Sequence, residues 1–492
     1  MPAQELLNAS SFNNRGDSRS PIMAACFFPP EFSVVSSPEL ISIHDKRAFW
    51  RGVILLSLPV AAQMLLQSLL GMADVIMVGD LGASAIAAVG LAAKIHFLLL
   101  VLMSGLATGC SILIAQYTGA KDFTSCQRTL AVTLLVGTLV MIPFVLMFGF
   151  ASNTWVSWIN PDPQVVSLAA QYLIITAPAL LFTQWIVIYE ASLRALGSTT
   201  MPLVAGVFAA TLNILGNYAL IGGNWGFPAL GVAGAAWATL GARALQLVIV
   251  VGWIYARKHG FALTIAEMGL ALDKTQIHRY LMFSLPLVAN YAIWAVGNST
   301  YHLVTGYAGT EALAVMGVIV PIESAFFALF VGLANASAVL IGRELGANNH
   351  DTAWYLHKFF DRVTFILLII FCCALWFARP LLLNIFDQLD ATSTELLFNT
   401  LGVFCLLVWV KVINMMRIIG VLRAGGDNRF TLITDTVVMW VFGLPIYIAV
   451  VFLTKISFVY IYALMFLEDG LKFIPVIKRI ISRKWMNNLT RH

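Results

Sequence analysis

The sequence predicts an all-α polytopic membrane protein with twelve transmembrane helices in two six-helix lobes, related by an internal parallel repeat. Three observations predict it. Of the 492 residues, 60% are hydrophobic and only 11% charged, against about 45–50% and about 25% in soluble globular proteins. Apolar runs of bilayer-crossing length recur along almost the whole chain, and Lys and Arg gather on alternate loops. The mean hydropathy is +0.86. Such a composition excludes a soluble enzyme and a nucleic-acid-binding protein. The net charge of +5 is accounted for by where the basic loops lie. Six cysteines, mostly inside apolar runs and without C-x-x-C spacing, argue against a disulfide framework or a zinc site.

Crossing the hydrocarbon core takes about 20 helical residues. Runs of that length lie at 51–78, 85–117, 129–150, 166–192, 201–221, 231–256, 280–305, 312–342, 359–378, 394–421, 430–453 and 456–477. Pro59, Pro143, Pro178, Pro286, Pro321 and Pro445 fall inside them and mark kinks, tolerated where neighbouring helices satisfy the freed carbonyls. Lys46, Arg47 and Arg51 precede the first run, and Lys121 and Arg128 follow the second. Arg194, the group Arg257, Lys258, Lys274 and Arg279, then Arg343, Lys358 and Arg362, and Arg423 and Arg429 continue the alternation. Lys478, Arg479, Arg483 and Lys484 end it. The opposite loops carry only Arg379 and Lys455. The positive-inside rule therefore places both termini in the cytoplasm.

Residues 1–45 are rich in Ser, Asn and Pro and lack a signal-peptide pattern. They read as a disordered cytoplasmic leader, or as an over-extended start with Met23 as one alternative. The lobes then occupy 46–256 and 280–477, joined by a polar cytoplasmic linker at 257–279 and followed by a tail at 478–492.

A shift of 227 residues lays the first two runs on the seventh and eighth without a gap, Ser57-Leu58-Pro59 meeting Ser284-Leu285-Pro286. Gly105-Leu106-Ala107 meets Gly332-Leu333-Ala334, and Gly119-Ala120 meets Gly346-Ala347. Between 57 and 122 there are 18 identities in 66 positions. A shift of 229 pairs Leu193-Arg194-Ala195 with Leu422-Arg423-Ala424. Six spans per copy is an even number, so both copies enter from the same side. Transporters built from such parallel repeats hold their substrate between the halves.

The stretch Gly71-Met72-Ala73-Asp74-Val75-Ile76-Met77-Val78-Gly79 resembles span 1 of the multidrug and toxic compound extrusion (MATE) family. Asn213-Ile214-Leu215-Gly216-Asn217 and Gly226-Phe227-Pro228-Ala229-Leu230-Gly231-Val232-Ala233-Gly234-Ala235-Ala236 resemble its spans 5 and 6. Leu422-Arg423-Ala424-Gly425-Gly426-Asp427 is similar to its tenth loop, and Lys484-Trp485-Met486-Asn487-Asn488-Leu489 to the tail of many bacterial members. The likeness covers about 46–490 and is nearest the NorM-type branch. It implies a V-shaped pair of lobes, without a cofactor, exporting amphipathic and often cationic drugs while Na⁺ or H⁺ flows inward. It further implies a functional monomer in the bacterial cytoplasmic (inner) membrane.

An intramembrane carboxylate is costly and therefore a functional candidate. Asp74 lies near the outer end of span 1, Asn213 and Asn217 share one face of span 5, and Thr239 lies at similar depth in span 6. One carboxylate, two amide oxygens and a hydroxyl suit Na⁺, and the carboxylate can equally take a proton. The resemblance makes Asp74 the coupling residue. Where some relatives have an acid, this chain has Asn217, and a Glu of NorM-type span 7 is here Trp294. Tyr301 falls under Asp74 in the repeat, so coupling is expected in the first lobe.

Glu323, Lys411, Glu468 and Asp469 read as a polar cluster of the second lobe, as ion pairs or as a substrate or proton path. Arg417 and Asp435 are expected to pair, and Arg243 needs a partner. Glu190, one turn before Arg194, is a candidate substrate or gating residue. His96 reads as a hydrogen-bonded core residue. The alternative function is a lipid-linked oligosaccharide or metabolite flippase of the same architecture, disfavoured by how few basic residues lie in spans. An enzyme is disfavoured too, since no H-E-x-x-H or Walker A sequence occurs.

Overall fold

A computed structural model describes residues 45–257, 259–269, 272–383, 391–454 and 456–491. The leader, apart from Asp45, lies outside these residues, as do Lys258 and Lys455 of the charge alternation. Residues 51–492 form one compact unit, and residues 1–50 are grouped apart from it.

The first lobe comprises α1 (Lys46–Gly79), α2 (Ala83–Gly119), α3 (Phe123–Ile159), α4 (Pro163–Ala195), α5 (Thr200–Gly222) and α6 (Val232–Ala256). The second opens with α7 (Lys274–Thr305), α8 (Thr310–Gly346), α9 (His350–Leu383) and α10 (Ala391–Arg417). Many of these helices outrun their apolar stretches by a turn or more because polar caps extend them. Asp122, Asp162 and Asp273 accept from the backbone N–H of Ser125, Gln164 and Thr275 at 3.0, 2.9 and 2.9 Å, starting α3, α4 and α7 as N-caps do. Pro163 follows its cap at the favoured first position.

Beyond α9 the helices are less regular. A π-helical turn, Ile418–Leu422, prolongs α10. Another, Val438–Gly443, joins Asn428–Val437 to Leu444–Leu453 to make α11. Eleven helices among the described residues are long and apolar enough to cross a membrane. The twelfth span is divided into α12 (Phe458–Leu464) and α13 (Leu467–Ile481). Its break has a local cause: Glu468 and Asp469 occupy the first turn of α13, where acidic side chains favour a new helix N-terminus. Arg379, one of the two basic residues on the sparsely charged side, is held within α9, its guanidinium 3.5 Å from the Trp376 ring and 4.4 Å from Phe398.

The repeat is visible in the packing. Gly105 lies against Val288, and Gly332 against Ala61; both members of the second contact are the first displaced by 227, since 332 − 105 = 288 − 61. Gly119 likewise lies against the carbonyl of Arg343, and Gly346 against that of Gln116. Gly342 meets Ala115, its own repeat mate, so the pseudo-twofold axis passes through the crossing of α2 and α8. Small residues permit such close approach. Replacing Gly346 with Val drives a branched side chain into backbone and is expected to cost about 1–3 kcal/mol. Thermal unfolding of the purified chain in detergent measures it, and an unchanged midpoint would show that the crossing yields.

Residues after α13 return to this crossing. Trp485 is fully buried. Gln116 Nε2 donates to the carbonyls of Ala424 and Asn487 at 2.8 and 3.2 Å, while its Oε1 accepts from Leu489 N at 2.7 Å. Arg279 Nη2 donates to Leu489 O at 2.9 Å. The tail thus ties α2 and α7 to the loop after α10. In the connection between lobes, Phe261 and Leu263 are buried, and Gln127 Nε2 donates to Gly260 O at 2.8 Å.

Candidate functional site

Close packing of α5 on α6 builds the first-lobe site. Gly216 lies against Ala238, which lets the two backbones approach and sets the polar face of α5 opposite Thr239. Asn213 and Asn217 are both buried. Asn217 Nδ2 donates to Asp74 Oδ1 at 2.6 Å and to Asn213 Oδ1 at 3.3 Å. Asn213 Nδ2 donates to Thr239 Oγ1 at 3.3 Å, and that hydroxyl donates to Ala235 O at 3.0 Å. The Tyr172 hydroxyl lies 3.4 Å from Thr239 Oγ1. All four residues singled out in the sequence therefore meet in one hydrogen-bonded chain across α1, α5 and α6. The buried Asn217 Oδ1 has no hydrogen-bond partner. With the second carboxylate oxygen it offers donors of the kind that hard cations take. Among the described residues no group of three or more His, Cys, Asp or Glu converges as a metal site.

A cavity of about 320 Å³ runs from this chain into the lobe, with Asp74 and Glu190 both in its wall. Glu190 accepts from Gln63 Nε2 at 2.7 Å and from Gln246 Nε2 at 3.0 Å, and Arg194 stands 3.7 Å away. The i,i+4 ion pair is thus one arm of a larger network. Arg243 donates Nη1 to Gln246 Oε1 at 2.9 Å and lies within electrostatic range of both Glu190 and Asp74. One guanidinium consequently faces two carboxylates across one cavity, Glu190 buried and Asp74 half-buried. His96 is 3.2 Å from Thr176 Oγ1 on the same wall. Sequence reasoning missed Gln63, Gln246 and Tyr172. A signal existed for Gln246, since it lies one turn from Arg243 inside an apolar run.

In the second lobe the expected residues take different direct partners, while the Asp469 carboxyl stays within electrostatic range of Lys411, Glu468 and Lys472. Glu323 accepts from the Tyr462 hydroxyl, and the Lys411 ammonium lies 4.9 Å from the Phe327 ring. Glu468 pairs with Lys472 on the next turn of α13, and Lys472 reaches Asp435 Oδ1 at 3.0 Å. Asp435 Oδ2 accepts from Asn290 Nδ2 at 2.8 Å, and Asn290 Oδ1 accepts from Arg423 Nη2 at 2.6 Å. Asp469 contributes its carbonyl to Asn414 Nδ2 at 2.6 Å. The expected pairing of Arg417 with Asp435 is corrected: Arg417 forks onto Asp361 Oδ2 at 3.0 and 2.9 Å, because α9 rather than α11 faces it. Lys472, unremarked in the sequence, is the cation that completes the network.

The MatE family model matches the chain twice, over residues 59–219 and 286–467. The chain belongs to the MatE family. The second MatE match begins 286 − 59 = 227 residues after the first, the displacement found in the repeat and in the glycine contacts. MatE proteins are transporters. Among curated relatives, a probable multidrug resistance protein NorM of Rhizobium meliloti is 29% identical over 311 residues, covering 61% of this chain and 64% of that protein. The chain thus spans just under two thirds of that relative. The probable multidrug resistance protein YoeA of Bacillus subtilis is 23% identical over 425 residues, 85% of this chain and 91% of its own. Of solved MatE-type structures, a crystal structure of MATE in complex with MaL6 superposes with a TM-score of 0.79 at 20% identity, covering 88% of this chain and 97% of its own. An outward-facing multidrug resistance MATE family transporter of the MOP superfamily gives 0.78 at 19% identity, covering 88% and 96%. The fold is that of a MATE transporter.

Proposed function

We propose that this MatE protein is a secondary active antiporter that exports amphipathic, cationic small molecules in exchange for inward Na⁺ or H⁺. The observation that carries this reading is the chain Asp74–Asn217–Asn213–Thr239 at the wall of the first-lobe cavity. A half-buried carboxylate beside amide and hydroxyl oxygens is poorly solvated as a bare charge and therefore gains by binding a cation or a proton. Ion binding there neutralises Asp74, changes what its Asn217 contact is worth, and biases the lobe towards drug release. Glu190, with Arg243 between it and Asp74, serves as the gating carboxylate at the other end of the cavity. Glu323, Lys411, Glu468 and Asp469 hold the second lobe together, the last two sharing Lys472.

In this reading the lobes, 46–256 and 280–477, exchange access about the connection 257–279. The protein works as a monomer in a bacterial cytoplasmic membrane, with both termini on the cytoplasmic side and no cofactor. Basic residues on that face, such as Arg257 and Arg279, support the orientation. Efflux of a fluorescent cationic dye from vesicles containing the purified chain tests it, under a Na⁺ gradient and separately under a pH gradient. Dye movement driven by one gradient is expected, and that gradient names the ion. If neither gradient moves any cationic dye, the antiporter reading fails.

A further inference from the structure

A second cavity, of about 220 Å³, lies where the tail meets the two lobes. Its wall takes Tyr117 from α2, Arg128 from α3, Gln276 and Arg279 from α7, and Asn488 and Arg491 from the tail. Three guanidiniums line it, and none of the described residues of its wall carries a carboxylate. The acid within electrostatic range of Tyr117 is Asp122. Its oxygens are engaged in capping α3, accepting from Ser125 N at 3.0 Å and Oγ at 2.6 Å. Arg128 Nε is buried without a hydrogen-bond partner, an expensive state for a charged donor unless an acceptor comes to it. Arg279 is fixed at the wall by its bond to Leu489 O.

We propose that this cavity binds a phosphate group, and that the bound phosphate braces the seam between the two lobes. Arginine forks match phosphate oxygens and deliver two parallel bonds each. A phosphate monoester carries roughly −1.5 to −2 charges and, unlike a carboxylate, has oxygens enough to meet Arg128 and a second side chain of the wall at once. Volume points the same way, because pockets for drug-sized molecules run from about 300 to 1,000 Å³. The cavity is therefore distinct in chemistry from the acid-lined cavity of the first lobe. Its walls come from α2 and α3 on one side and α7 and the tail on the other, so a ligand bound to all of them favours the arrangement in which they stand together. The inference does not depend on which compound is transported or in which direction. Two sources supply such a group: the headgroup of an acidic phospholipid, as in basic pockets between cytoplasmic ends of spans, or a soluble phosphate.

The test uses the full chain, wild type and Arg128→Gln/Arg491→Gln, with Arg257→Gln as a control that removes a basic residue outside the cavity. Retention of phosphatidylglycerol against phosphatidylcholine is measured by native mass spectrometry, and the shift in unfolding midpoint with inorganic phosphate by thermal melting. Preference for phosphatidylglycerol, weakened about tenfold in the double variant and kept by Arg257→Gln, establishes a lipid headgroup site. A midpoint raised by inorganic phosphate in wild type and not in the double variant establishes a soluble phosphate site. Wild type that responds to neither probe overturns the proposal, whatever the variants do. So does an Arg257→Gln protein that loses as much as the double variant, because general surface charge would then explain the binding.

Discussion

Asp74→Asn is expected to abolish gradient-driven efflux while leaving the protein folded. Asparagine keeps the size of the side chain and an oxygen to accept from Asn217, so the 2.6 Å contact can persist in neutral form. What it loses is the charge that attracts an ion and the group that takes a proton. A hydrogen bond or ligand contact made to a charge is worth about 1.5–3 kcal/mol, so affinity for the coupling ion falls about ten- to 150-fold. Coupled efflux should fall at least as far, while dye binding in the absence of a gradient and the thermal midpoint stay near wild type. The measurement is the initial rate of dye efflux from vesicles under whichever gradient drives the native protein. Undiminished gradient-driven transport by the variant would move the coupling role away from Asp74, and Glu190 would be examined next.

The second large effect is expected on stability, from Lys472→Met. Lys472 joins Glu468 and reaches Asp435 Oδ1 at 3.0 Å, and its side chain is almost wholly buried. Removing it leaves Asp435 and Glu468 without their cation, with the Asp469 carboxyl close by. Breaking a buried ion pair by deleting one partner costs about 3–5 kcal/mol, whereas replacing the whole set with neutral groups costs far less. The single variant should therefore melt well below wild type. Adding Asp435→Asn and Glu468→Gln should restore most of the loss. A single variant with a wild-type midpoint would mean that the acids accept protons or water in place of the lysine. Dye efflux by the triple variant then separates two roles: retained transport makes the network a brace, and lost transport gives it a part in coupling.

Most of the fold is legible in the sequence because a bilayer leaves few alternatives. Helices must be long and apolar, and basic loops must alternate, so the runs and their order follow. The repeat follows from residues such as Gly119 and Gly346, whose missing side chains are a packing requirement. The division of the last span is written in Glu468 and Asp469, though hydropathy alone averages over it. The first-lobe chain is legible for a related reason: Asn213 and Asn217 lie on one face by helical spacing, and Asp74 and Thr239 share their depth. Depth is only one coordinate, however. Arg417 and Asp435 share it approximately, yet the direction in which each helix faces sends Arg417 to Asp361 and Asp435 to Lys472. The same rotation, set by packing among distant helices, brings Gln63 and Gln246 to Glu190, and no local spacing encodes it.

The two π-helical turns enclose a single segment. Residues 423–437 lie between Ile418–Leu422 and Val438–Gly443 and carry Arg423, Asp427 and Asp435. A π turn contains one residue more than the α-helix accommodates in the same stretch. Passing that surplus along the chain advances a helix by about 1.5 Å and turns it through about 100°. One such turn at each end offsets the segment from the helices it joins, while Gln116 and Asn487 hold its loop and Arg479 holds its Asp427. That offset sets which way Arg423 and Asp435 face, and with it their contacts to Asn290 and Lys472.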